Sequence, residues 1–73
     1  MTYRELMGKA QDLFDPQHRG IIYGYPVRVL LNIALKAEQD GADQEVDGDS
    51  LREFLSGKDH LDSDCVSSVL SLL

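Results

Sequence analysis

The chain has little of several residue types that commonly stabilise or anchor small proteins. Among 73 residues there is no tryptophan, one cysteine and two prolines. A single cysteine cannot form an internal disulfide, so the fold depends on its hydrophobic core, and a reducing cytoplasm is the expected compartment. No apolar run approaches the length of a membrane span, and residues 1–5 are not followed by the apolar segment of a signal peptide.

The length predicts one small domain over residues 1–73 that folds but buries a limited core. An apolar fraction of 42% is well above that of disordered chains. There is no room for an active-site cleft between domains. We therefore expect a binding protein, with no catalytic residue, cofactor or metal ligand.

Basic residues are scarce, and they are unevenly placed. Seven bases face 13 acids, which gives a net charge of −6. Residues 38–64 hold ten acids and two bases, about −8, whereas residues 1–37 hold five bases and three acids, about +2. This charge argues against nonspecific attachment to nucleic acid or anionic membranes and favours a basic protein surface as the partner.

Apolar spacing and capping signals predict the first two helices. Thr2 and Glu5 form a capping box before a helix over residues 3–14, which Asp15-Pro16 ends. Pro26 suits the first turn of a helix that runs to about residue 39. We expect this helix to bury a broad apolar face made of Val27, Leu30, Leu31, Ala34 and Leu35, widened by Val29 and Ile33.

The rest of the chain predicts two shorter helices. Residues 21–23 and 44–46 are candidates for very short strands. Ser50 and Glu53 form a second capping box before a two-turn helix that ends near Gly57, and Asp62 caps a last helix running to the C-terminus. The predicted fold is mainly α, a small four-helix domain with up to two very short strands.

The order of elements from residue 25 onward resembles the DNA-binding core of winged helix-turn-helix transcription regulators. Residues 25–35, 49–56 and 62–73 carry this resemblance, which covers about two-thirds of the chain. It implies a helix-turn-helix-like core over 26–73, preceded by an N-terminal helix and extended segment over 1–25. The resemblance also implies that residues 62–73 form the recognition helix.

Three departures from that family concern the parts that bind DNA. The turn over 57–61 is longer than usual, and no wing follows the last helix. The last helix contains neither Arg nor Lys, and its expected outward residues are Ser63, Asp64, Ser67, Ser68 and Ser71. Carboxylates at the start of a recognition helix would repel DNA phosphates, so this helix is expected to face a protein.

The acidic loop over 43–49 also suits two other functions. Oxygen-bearing residues alternate there as in an EF-hand calcium loop, but the position that requires a bidentate Glu is Phe54. The Asp-Ser-Leu triplet at 49–51 matches the attachment site of acyl carrier proteins, although too few residues follow Ser50 for that fold. Weak calcium binding and a carrier function therefore remain as further alternatives.

His18, His60 and Cys65 are the remaining residues that commonly bind metals or attack substrates. No pair among them has the spacing of zinc ligands, and a closed structural zinc site needs four ligands. A nucleophilic cysteine would need an oriented base, which the sequence does not reveal. We expect Cys65 to be a small core residue and both histidines to lie in loops.

These observations favour a small, acidic, cytoplasmic regulator or inhibitor of the phage type. It is expected to dock on a basic surface of nucleic-acid machinery such as bacterial RNA polymerase. The expected partner-binding residues are aromatic and basic residues before and at the start of the second helix and acids of the later chain: Tyr23, Tyr25, Arg19, Arg28, Asp43, Glu45, Asp47, Asp49, Asp59, Asp62 and Asp64.

The alternative is a DNA-binding repressor that acts as a dimer. In that hypothesis the Leu-rich C-terminus forms the dimer interface. Four bases from the first half of the chain would contact phosphates: Arg4, Lys9, Arg19 and Arg28.

Overall fold

A computed structural model describes all 73 residues and contains four helices and no strand. The helices are α1 (Tyr3–Phe14), α2 (Tyr25–Asp40), α3 (Gly48–Ser56) and α4 (Ser63–Leu70). The prediction of a mainly α, four-helix domain is confirmed. None of the helices combines the length and the apolar character needed to span a lipid bilayer.

The start of α1 has the predicted capping box. The Thr2 hydroxyl accepts a hydrogen bond from the Glu5 amide at 3.2 Å, and the Glu5 carboxylate accepts one from the Thr2 amide at 3.1 Å. These two bonds satisfy donors that the first turn of a helix otherwise leaves free. The helix buries Tyr3, Leu6 and Ala10 on one face and ends before Asp15.

The side of α2 that packs into the core differs from the predicted one. Val29, Leu30, Ile33 and Ala37 are buried, whereas Ala34 is exposed and Leu31 and Leu35 are 60% and 48% exposed. The other three helices pack on the side that carries Val29 and Ile33. The prediction that Leu31, Ala34 and Leu35 face inward is therefore wrong, because no element of this chain covers that side of α2.

The two candidate strands are not strands in the structure. Residues 21–23 form no backbone pairing with another segment. Glu45 makes an isolated antiparallel bridge with Thr2, so the segment 44–46 pairs only locally with the residues that precede α1. Each segment is too short to build a ladder of several hydrogen bonds.

The N-cap of α3 is Asp47 and not the predicted Ser50. The Asp47 carboxylate accepts hydrogen bonds from the amides of Asp49 at 3.0 Å and Ser50 at 3.2 Å. Ser50 therefore lies within the first turn of α3. Asp and Ser both cap helices well, and Asp47, three residues before Ser50, is the cap here.

The last helix starts as predicted and ends earlier. The Asp62 carboxylate accepts a hydrogen bond from the Cys65 amide at 3.1 Å, which confirms Asp62 as its N-cap. Helix α4 ends at Leu70, and Leu73 is 47% exposed beyond it. Val69 is the fully buried residue of α4.

One hydrophobic core joins all four helices. Its buried members come from α1, α2, α3 and α4: Leu6, Ala10, Val29, Leu30, Ile33, Leu51, Leu55 and Val69. No buried polar side-chain atom lacks a hydrogen-bond partner. The core is small and has no buried polar residue, so its individual side chains contribute strongly to stability.

The two candidate caps of α3 give a direct test of the fold. We expect Asp47→Ala to lower the free energy of unfolding by about 1 kcal/mol, because two amides at the start of α3 lose their acceptor. The matched variant Ser50→Ala should change it by less than about 0.5 kcal/mol. Urea denaturation followed by circular dichroism measures both, and a larger loss for Ser50→Ala would show that Ser50 is the cap.

Candidate protein-binding surface

Two of the predicted partner-binding acids have partners within the chain. Arg4 Nε lies 2.9 Å from a carboxylate oxygen of Asp43, and the amino group of Met1 lies 2.6 Å from a carboxylate oxygen of Glu45. The hydrogen bond from Arg4 lowers the pKa of Asp43. Both carboxylates remain exposed, but their charge is matched locally.

A third carboxylate of this region has a structural role. The hydroxyl of Tyr3, a residue only 1% exposed, donates a hydrogen bond to Asp40 at 2.7 Å, and Lys36 Nζ lies 3.1 Å from the same oxygen. The Tyr3 hydrogen bond, followed by that of Lys36, lowers the pKa of Asp40. Burial, together with the hydrogen bond to Asp40, raises the pKa of Tyr3 to about 12. This contact ties α1 to the end of α2.

The Tyr3–Asp40 bond predicts a pH-dependent stability difference. We expect Tyr3→Phe to lower the free energy of unfolding by about 1 kcal/mol at pH 7, where Asp40 is ionised. Because the folded-state pKa of Asp40 lies below its ordinary value of 3.8, the stabilisation exists above that value and is lost as pH falls through the lowered pKa. The difference between the native protein and the variant should therefore shrink as the pH falls below 3.8.

Tyr23→Phe is the matched control for this experiment. Tyr23 is 81% exposed and its hydroxyl makes no hydrogen bond. The free energy of unfolding of Tyr23→Phe should therefore equal that of the native protein at every pH. Urea titrations at a series of pH values measure all three proteins. A Tyr3→Phe difference that stays constant down to pH 2 would contradict a role for Asp40 ionisation.

The acids at the start of α3 are exposed but partly engaged. The Asp47 carboxylate caps the helix, and Asp49, 96% exposed at its side chain, lies 3.6 Å from Arg52. An exposed pair at this separation contributes little to stability. Glu53, one turn after Asp49, makes neither an ion pair nor a hydrogen bond and points its charge to solvent.

The carboxylates between α3 and α4 are the least neutralised of the predicted set. We call Asp59, Asp62 and Asp64 the turn cluster. Asp59 and Asp64 are exposed and have no ion pair or hydrogen bond, whereas Asp62 is half-buried and caps α4. The nearest base in sequence, Lys58, lies 4.4 Å above the ring of Phe54 and pairs with none of them.

The predicted acids do not form one continuous site. Asp43, Glu45 and Asp47 lie before α3, and the turn cluster follows it. The nine residues of α3 separate the two groups by about 13 Å of helix. Only the second group retains unpaired carboxylates next to the outward face of α4, where Ser63, Ser67 and Ser71 are also exposed.

The predicted tyrosines and arginines do come together. Tyr23 and Tyr25 are 81% and 64% exposed, and with Arg28 they line an open depression of about 490 Å³. Arg19 and Tyr23 line a neighbouring one, of which Phe14 also forms part. The two tyrosines thus present apolar area with polar tips, as interface anchors do.

This aromatic surface adjoins the turn cluster. Tyr25, Arg28 and Asp62 line one depression of about 460 Å³, together with His60 and Ser63. The long α2 places Tyr25 and Arg28 in its first turn, where the loop after α3 passes. Residues that are far apart in sequence therefore form one surface with an aromatic part and an acidic part.

The candidate metal and nucleophile residues are not assembled into a site. No group of three His, Cys, Asp or Glu side chains is arranged to hold a metal ion. His18 lies 3.4 Å from Asp12, and His60 lies in the turn after α3 with a left-handed φ of 65°. Burial, followed by the contact with Asp62, raises the pKa of the Cys65 thiol, which disfavours the nucleophilic thiolate.

Comparison of the chain with protein-family models, with curated proteins and with solved structures found no match. The resemblance to helix-turn-helix regulators therefore stays a prediction. The surface described above has to be interpreted from its own residues.

Sequence reasoning missed one feature of the surface, the exposure of Leu31 and Leu35. Their spacing places them on one side of α2, and that side was expected to lie in the core. The signal that could have revealed this exposure is the width of the apolar face of α2, which is greater than the other three helices cover. This stripe is the largest departure of the surface from the prediction.

Proposed function

We propose that the protein is a small regulator that binds a basic protein surface through the turn cluster. The observation that carries this proposal is the pair of exposed, unpaired carboxylates Asp59 and Asp64 near the start of α4, a helix whose own residues include no base. Nucleic-acid machinery such as bacterial RNA polymerase offers basic surfaces of this kind. The proposal places the protein in the cytoplasm as an inhibitor or regulator of the phage type.

The proposed mechanism is electrostatic attraction followed by steric exclusion. The turn cluster pairs with Lys or Arg side chains that would otherwise contact phosphates or another subunit. Tyr25 and Tyr23 then bury apolar area beside these ion pairs, and Arg28 orients the contact at their border. Asp43 and Glu45 have internal partners, so the proposal assigns them to the fold and not to the interface.

The placement of basic side chains supports this proposal over the DNA-binding alternative. Arg4 pairs with Asp43, and Lys9, Arg19 and Arg28 lie on α1, on the following loop and on α2. None lies on α4, the helix that would enter the groove, and of the four only Arg28 lines a depression with residues at the start of α4. A DNA-binding surface needs its bases next to the reading helix, because phosphate contacts fix its register.

The turn cluster can be tested by reversing one charge. We expect Asp64→Lys to weaken binding to purified bacterial RNA polymerase by about tenfold, because one attractive contact becomes repulsive. Asp12→Lys is the matched control: it changes the net charge equally, from an exposed position on α1. Biolayer interferometry at two salt concentrations measures both variants and the native protein.

Asp62 is unsuited to this test, since its replacement would also remove the cap of α4. Equal binding by the native protein and Asp64→Lys would exclude the turn cluster as the contact surface. No binding by the native protein would exclude RNA polymerase as the partner. Tight, steeply salt-dependent binding to duplex DNA would favour the repressor instead.

A further inference from the structure

The outer side of α2 carries an apolar stripe that ends in opposite charges. Arg28, Leu31, Leu35 and Glu38 follow one another at spacings of three, four and three residues, so they lie along one side of the helix. All four are exposed, and the two leucines are 60% and 48% exposed. Ala34, also exposed, flanks the leucines, and so does Val27, which is half-buried.

The charges at the two ends of this stripe have no partner within the chain. Neither Arg28 nor Glu38 takes part in an ion pair, although other bases of the molecule do, such as Arg4 and Lys36. Ten residues separate them along α2, about 15 Å, so they cannot reach each other across the leucines. Each charge is free to pair with a second molecule.

We propose that this stripe is a homodimer interface in which α2 packs antiparallel against α2 of a second copy. The stripe is symmetric about the level of residue 33 along α2. A twofold axis that crosses the exposed side of the helix at this level places Arg28 opposite Glu38 of the second copy and Leu31 opposite its Leu35. Such an isologous contact uses one surface twice. This inference goes beyond the proposed function and does not depend on it.

The end charges specify the orientation of the two helices. In the antiparallel arrangement both ends of the interface form Arg–Glu pairs, which can be bidentate. In a parallel arrangement Arg28 would face Arg28 and Glu38 would face Glu38, which is repulsive at both ends. Antiparallel packing also opposes the two helix dipoles favourably.

The area of the stripe indicates a weak dimer. One helix face buries less than the roughly 800 Å² per partner of a standard interface. Each copy also carries a net charge of −6, which adds repulsion at low ionic strength. Self-association is therefore expected near physiological ionic strength, where the Debye length is about 8 Å, and at protein concentrations of tens to hundreds of micromolar.

Two variants, each with one of the end charges of the stripe reversed, test both the interface and its register. Arg28→Glu and Glu38→Arg should each raise the dimer dissociation constant by roughly tenfold, because two symmetric contacts become repulsive at once. Mixed in equal amounts, the two variants should form a heterodimer, since every Glu again faces an Arg. The double variant R28E/E38R should recover the native dissociation constant.

Analytical ultracentrifugation and native mass spectrometry measure these proteins against the monomer mass of 8.2 kDa. Arg19→Glu is the matched control, since it changes the net charge by the same amount as Arg28→Glu and Arg19 lies outside the stripe. Leu31→Gln should abolish the dimer, whereas Leu73→Gln, at an exposed leucine of the C-terminus, should preserve it. Circular dichroism verifies that each variant is folded.

Several outcomes would overturn the inference. A native protein that stays monomeric at about 1 mM would exclude even a weak interface of this size. Dimerisation lost in Leu73→Gln but kept in Leu31→Gln would place the interface at the C-terminus. Failure of the mixed variants to pair, with a native dimer present, would exclude the antiparallel register.

Discussion

The start of α1 is held by the loop that joins α2 to α3, and the arrangement of the other elements depends on this junction. The amides of Tyr3 and Arg4 donate hydrogen bonds to the carbonyls of Gln44 at 3.2 Å and Ala42 at 2.9 Å. The Val46 amide donates in return to the Met1 carbonyl at 2.8 Å. Free amides at a helix start need acceptors, and here the loop supplies them. By fixing this loop, the junction also fixes where α3 begins and hence which side of α2 is covered.

The junction divides the acidic residues into two classes. Carboxylates close to it become structural, because side chains of α1 and the amino group of Met1 are within reach. Asp43 pairs with Arg4, and Asp40 accepts the Tyr3 hydrogen bond. Carboxylates beyond α3 lie outside the reach of those groups, so Asp59 and Asp64 keep their charge unpaired. A stretch that is mostly acidic in sequence thus becomes part of the fold at one end and stays exposed and unpaired at the other.

How far the sequence predicts this molecule depends on whether a signal is local. The caps of α1 and α4 follow from residues within one turn, so Thr2 and Asp62 were identified correctly. At α3 two local signals compete, because Asp47 and Ser50 are both good caps, and only the path of the loop decides for Asp47. The buried side of α2 and the proximity of Tyr25 to Asp62 depend on packing between distant segments, which periodicity does not encode.

Arg28 connects the two surfaces of the molecule. It lies at the end of the α2 stripe and also lines the depression that holds Tyr25 and Asp62. If Arg28 pairs with Glu38 of a second copy, its charge is withdrawn from the turn cluster, and the field beside Asp59 and Asp64 becomes more negative. Because Arg28 also orients the proposed partner contact, a basic partner would then bind the dimer and the monomer with different affinities. Because such coupling is reciprocal, the same partner would change self-association by an equal factor. A weak dimer interface and a charged docking surface that shared this arginine would therefore be linked thermodynamically.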